Sequence, residues 1–158
     1  MSNDEGYQQG MHSLWRRDEV CKELGYNYLM QGKYSAAEQR LREALKGEGV
    51  RISIQRHDLL WTRAEMESLL GAALLGQAKY AEAEPLLLSG YAGLKKEVAS
   101  RSSVPFGYSL EARRHQTLTE ALDHLKKLYI ETNKPDEAKK WQTEKEKLTK
   151  PSTPATPR

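Results

Sequence analysis

The side chains with the means to do chemistry in this chain are four histidines, His12, His57, His115 and His124, a single cysteine, Cys21, and scattered carboxylates. An active site needs such groups to converge, and sequence spacing is the first sign that they do. His115 and His124 lie nine residues apart, outside both the three-to-five spacing of zinc-finger histidines and the i, i+4 pair of a helical zinc site. The histidines therefore read as solvent-facing or capping groups. Gly47-Glu48-Gly49 lacks the trailing glycine, lysine and hydroxyl of a phosphate-cradling loop. Cys21 has no second thiol for a disulfide or a cysteine-based metal site, and it falls on a helix face that packs, where burial opposes nucleophilic use. The expectation is a chain without catalytic residues, metal or cofactor, and so not an enzyme.

Composition narrows the remaining classes. At 158 residues with 38% hydrophobic content there is room for one domain with a modest core. Charged residues make up 30%, and one Phe stands against eight Tyr and three Trp, which favours amphipathic helices over a sandwich or barrel. Twenty-five Lys and Arg against 22 Asp and Glu leave +3, too balanced for a nucleic-acid partner. The polar start at Met1 has no basic and apolar leader, and no apolar run approaches the 18 residues of a membrane span. With the lone thiol favouring a reducing compartment, the chain is expected in the cytoplasm, away from membranes.

One short phrase occurs three times with decreasing fidelity. Leu24-Gly25-x-x-Tyr28 precedes Gly32-x-Tyr34-x-x-Ala37, then Leu41 and Ala44. Leu70-Gly71-x-x-Leu74 precedes Ala78-x-Tyr80-x-x-Ala83, then Leu87 and Gly90. The third copy keeps Leu122, Leu125, Tyr129 and Ala138 around a turn at Asn133-Lys134-Pro135. Small residues at Gly25 and Gly71, and at Ala37, Ala83 and Ala138, would let two antiparallel helices approach closely while larger apolar residues fill the seam. Tyr28 with Tyr34, and Leu74 with Tyr80, are expected to close each hairpin about its turn.

This phrase resembles the tetratricopeptide pattern, with Cys21 and Glu67 where that family usually has Trp and Leu41 and Leu87 where it has Phe. Residues 76–97 are similar to the long repeats of kinesin light chains and to those that follow bacterial serine/threonine kinase domains. The spacing agrees with a long type, since Gly25 to Gly71 is 71 − 25 = 46 and Gly71 to Lys126 is 126 − 71 = 55, against 34 in the common repeat. The resemblance covers residues 13–149. It implies an all-α fold of three antiparallel helix pairs, about 13–48, 52–99 and 109–149, stacked as a short right-handed superhelix. A flexible leader at 1–12 and a disordered Pro/Thr tail at 150–158 complete the expected organisation, with Pro85 taken into the start of its helix.

The resemblance also implies a function: a non-catalytic scaffold that holds a peptide or helix of another protein in the groove lined by its first helices. Carried over by position, the groove falls on Glu19, Lys22, Tyr26, Leu29 and Met30, on Glu65, Ser68, Ala72 and Leu75, and on Glu120, Asp123, Lys127 and Ile130. One aromatic, several aliphatics and alternating charge suit an extended or helical peptide better than a compact anion. The family's chaperone-binding branch clamps a terminal carboxylate with Lys and Asn. Lys22 fits that pattern, but Tyr26 and Leu69 stand where the Asn residues belong, so chaperone-tail binding is not expected. Basic residues near the first-helix starts, Arg16, Arg17, Arg56, Arg63, Arg113 and Arg114, offer a second surface, a basic rim for an acidic or phosphorylated peptide. Their more ordinary role is to solvate a helical face. Two alternatives remain open from the sequence: self-association through an exposed Trp141 and Leu148 in the third repeat, and service as the regulatory segment of a bacterial kinase-type signalling protein.

Overall fold

The computed structural model describes residues 20–46, 58–100 and 108–149. Those residues form six helices in three tightly packed antiparallel pairs: α1, described over residues 20–30, with α2 (Tyr34–Lys46); α3 (Asp58–Gly76) with α4 (Tyr80–Ser100); and α5 (Tyr108–Glu131) with α6 (Pro135–Thr149). The arrangement is that of a helical repeat. The expected leader at 1–12, the tail at 150–158 and the outer limits of the pairs lie outside the described residues.

Each pair turns in the same way. The first helix ends with two backbone bonds that close a Schellman motif: Gly32 N–H to the Leu29 carbonyl with Lys33 N–H to Tyr28, Ala78 to Leu75 with Lys79 to Leu74, and Asn133 to Ile130 with Lys134 to Tyr129. The residue between must take positive φ, and Gly32, Ala78 and Asn133 do so at 71°, 58° and 55°. Glycine enters this region freely and Asn tolerates it, whereas Ala78 is there against its intrinsic preference. The following lysine carbonyl accepts the first bond of the second helix, from Ala37, Ala83 and Ala138 in turn. Helix α4 therefore begins at Tyr80, five residues before Pro85, which lies inside the helix. Pro85 has no N–H to donate to the carbonyl of Ala81, and Ala81 is exposed.

Close approach within the first two pairs depends on the missing side chains that the sequence singled out. A Cβ at Gly25 would lie 2.6 Å from Leu41 Cγ, and one at Gly71 2.7 Å from Leu87 Cγ. Leu41, Leu74, Leu87, Leu94, Leu122 and Leu125 are fully buried in a core cluster that runs through all three pairs. Burial of each contributes roughly 2 kcal/mol. The third pair replaces this seam with polar contacts: Lys126, at the Gly25/Gly71 position, donates to Gln142 at the Leu41/Leu87 position, 2.9 Å away. One turn earlier, where Ser68 meets Gly90 in the middle pair, Lys145 Nζ lies 2.6 Å from Asp123. The two halves of each contact change together, so the third copy's weak match to the phrase comes with compensating partners.

Contacts between successive pairs extend one expectation and correct another. Tyr34 does not serve only its own hairpin, since its ring fills the space that a Cβ on Gly76 of the next pair would need. Tyr80 stands beside Glu131 of the third pair, and burial, then that carboxylate, raise its pKa. Trp141 and Leu148, expected to be exposed, are half-buried against the core, with Trp141 edge-on to Tyr91 at 5.3 Å between ring centres. Glu144 accepts the Tyr91 hydroxyl and pairs with Lys95, tying α6 to α4.

The first and second pairs are joined by a polar clamp at the turns. Glu38 accepts from Lys79, Gln77 and Arg42, each at 2.8 Å, and Arg42 reaches on to Glu82. The Lys79 bond is the largest influence holding the Glu38 carboxyl down at about 2, with Gln77 and Arg42 adding to it against the opposing effect of burial. At the open end of the array, Val20 and Leu24 are 56% and 39% exposed, whereas their counterparts Met66, Ala121, Leu70 and Leu125 are buried. Met66 fills a notch formed by Cys21, Ala44 and Leu45 of the preceding pair; α1 has no preceding pair among the described residues.

Candidate functional site

Three first helices, α1, α3 and α5, converge on a cleft of about 220 Å³. Lys22, Glu23 and Tyr26 come from α1, Glu65 and Leu69 from α3, and Arg113, Gln116, Thr117 and Glu120 from α5. The α5 set follows helical spacing, so its side chains form one stripe. Lys22, only 6% exposed, lies 3.3 Å from Glu65 and 3.6 Å from Glu23. Arg113 on α5 comes within 3.9 Å of Glu23 on α1, so an ion pair spans the cleft between helices of the first and third pairs. Glu120 receives the Gln116 side-chain amide at 2.9 Å. Among the described residues no cation lies within salt-bridge distance of it.

Of the thirteen groove positions read from the sequence, the cleft brings together Lys22, Tyr26, Glu65 and Glu120. Glu19 lies outside the described residues. Ser68, Ala72 and Leu75 are buried between helices, and Ser68 backbone atoms lie under Gly90 of α4. Asp123 is held by Lys145 of α6, and Lys127 pairs along α5 with Glu131 at 3.8 Å. Met30 and Ile130 are exposed toward the turn ends, and Leu29 is half-buried against the core.

Of the rim residues, Arg16, Arg17 and Arg56 lie outside the described residues. Arg63 is engaged with Glu67 at 2.9 Å, Arg113 belongs to the cleft, and Arg114 is half-buried. The positional reading missed Glu23, Leu69, Gln116 and Thr117. The signal for the first two was present, since positions 23, 69 and 124 are equivalent in the three copies and sit one turn from recognised groove positions.

His124 departs from the expectation of a solvent-facing ring. It lies on α5 one turn beyond Glu120, its Nδ1 is buried without a hydrogen-bond partner, and burial lowers its pKa despite the nearby Glu120 and Asp123. Cys21 is buried, as its helix face implied. Among the described residues no three His, Cys, Asp or Glu side chains cluster as a metal site, and no helix is long and apolar enough to cross a membrane.

Comparison of the chain with family models, curated proteins and solved structures finds no match.

Proposed function

We propose that the chain is a tetratricopeptide-like interaction scaffold, its three pairs forming a short right-handed superhelix whose inner face holds an extended segment of a partner protein. The observation that carries this reading is the cleft where all three first helices contribute side chains. A site assembled from three tandem units suits a ligand that runs across them. Its mixed lining of a tyrosine, a leucine, two cations, three carboxylates and two neutral polar groups offers many directional contacts and little apolar area. That combination favours a peptide over a lipid or a compact anion. The reading assigns the chain no catalytic activity and a cytoplasmic location.

The test is selection of a random peptide library on the whole chain, followed by binding of the selected peptides to a Tyr26→Ala, Gln116→Ala double variant. Loss of tenfold or more in affinity is expected. Unchanged affinity for every selected peptide would remove the cleft as the binding face.

Self-association is a second reading, now favoured by Val20 and Leu24 at the α1 end, because Trp141 and Leu148 are taken up internally. Light scattering across a concentration series addresses it. A mass that stays monomeric for wild type and for Leu24→Glu alike rules it out.

A further inference from the structure

We propose that the cleft selects a basic side chain, an arginine or lysine of the bound segment, with its cationic group at Glu120 and its methylene stem over Tyr26 and Leu69. This rests on the cleft being the peptide-binding site. Lys22 and Arg113 face Glu23, Glu65 and Glu120, so the lining carries one net negative charge. Lys22 is buried against Glu65 at 3.3 Å and reaches Glu23, while Arg113, its side chain 66% exposed, approaches Glu23 at 3.9 Å.

Glu120 is the lining carboxylate left without a cationic partner among the described residues, its contact being the neutral Gln116 amide at 2.9 Å. Burial lowers the pKa of the His124 ring one turn away, which disfavours a positive charge there. Neutral Gln116 and Thr117 beside Glu120 are further hydrogen-bonding groups for a planar guanidinium. Tyr26 supplies an aromatic ring, which attracts a cation, and Leu69, otherwise buried in the core, supplies an apolar edge for the stem.

Size agrees with this occupant. The cleft holds about 220 Å³, room for roughly seven waters at their liquid volume, which is the scale of one long side chain and too small for a helix. An acidic or phosphorylated side chain would be repelled by Glu120, and the exposed Arg113 at the other side of the cleft is the cation it would seek instead.

The test uses the ¹⁵N-labelled full chain, titrated with acetyl-Ala-Ala-Arg-Ala-Ala-amide, the same peptide with citrulline for arginine, and the same peptide with glutamate. Citrulline keeps the shape and removes the charge. The expected result is saturable shifts at the Gln116 side-chain amide and at the Tyr26 and Leu69 backbone with the arginine peptide, at least tenfold weaker binding with citrulline, and none with glutamate. Glu120→Gln keeps an acceptor for Gln116, and it should abolish the arginine preference while leaving the thermal melt unchanged. Equal binding of the arginine and citrulline peptides would overturn the charge selection and leave peptide docking in place. Preference for the glutamate peptide would overturn it in favour of the Arg113 side of the cleft. If library selection yields peptides that bind the cleft but lack Arg and Lys, the proposal falls and the docking reading stands; if selection yields no cleft binder, both fall.

Discussion

Substitution of Gly90 by alanine probes a helix contact made against backbone atoms. Two effects oppose each other. Alanine in a helix interior gains about 1 kcal/mol over glycine. Against this, the new Cβ would lie 2.7 Å from Ser68 N, 2.9 Å from the Ala64 carbonyl oxygen and 3.0 Å from Ser68 Cα. All three are backbone atoms of α3, so no side-chain rotation relieves the overlap and α3 must move away from α4. Overpacking of this kind costs roughly 3 kcal/mol at the upper end of its range, leaving a net loss of about 2 kcal/mol. For a chain of this length that corresponds to a melting temperature lower by about 4–8 °C. The assay is thermal and urea unfolding followed by circular dichroism. Gly71→Ala is the internal comparison. There the nearest atoms are Leu87 Cγ and Cδ2, which can shift, with Leu87 N at 3.1 Å, so the loss should be smaller. A Gly90→Ala variant at least as stable as wild type would refute the claim that backbone contact sets the α3–α4 distance.

Three further outcomes follow from the turns, the clamp and the polar seam. Ala78→Gly should raise stability by about 0.5–1 kcal/mol in urea unfolding, because it relieves a positive φ of 58°. Glu38 has a folded pKa of about 2 against a reference of 4.5, so its contribution is complete above pH 4.5 and is lost as pH falls toward 2. Glu38→Gln should therefore cost about 1–2 kcal/mol near neutrality, once solvent screening is allowed for, with the difference from wild type vanishing near pH 2 in acid-unfolding series. Lys126→Gly and Gln142→Leu should each destabilise the third pair by about 1 kcal/mol. Combined, they recreate the Gly–Leu contact of the other pairs and should show a favourable coupling of at least about 0.5 kcal/mol in a double-mutant cycle.

The parts of the fold legible in the sequence are those where a residue type has one physical use. Gly25 and Gly71 mark close approach because a side chain there would overlap Leu41 or Leu87, and Ala37, Ala83 and Ala138 mark the same seam. The turn at Ala78 was readable only by alignment with Gly32 and Asn133, since alanine on its own gives no sign of positive φ. Contacts between pairs were less legible. Tyr34 and Tyr80 carry the same signature whether they close their own hairpin or reach to the next pair, and Trp141 looks exposed on an otherwise polar helix until Tyr91 covers it. In the cleft, Lys22, Tyr26, Glu65 and Glu120 follow from helical register. Gln116 and Thr117 enter because the cleft extends toward the start of α5, which repeat register alone does not specify. His124 looks like a surface residue by type, and its burial depends on tertiary packing that a single helix does not encode.

The central claim, that a partner segment lies across the first helices, is tested most directly by site-specific photo-crosslinking with benzoylphenylalanine placed at Tyr26 in the cleft and, separately, at exposed Ala92 on α4. A library-selected peptide should be captured from position 26 and not from position 92. Capture from position 92 alone would contradict it.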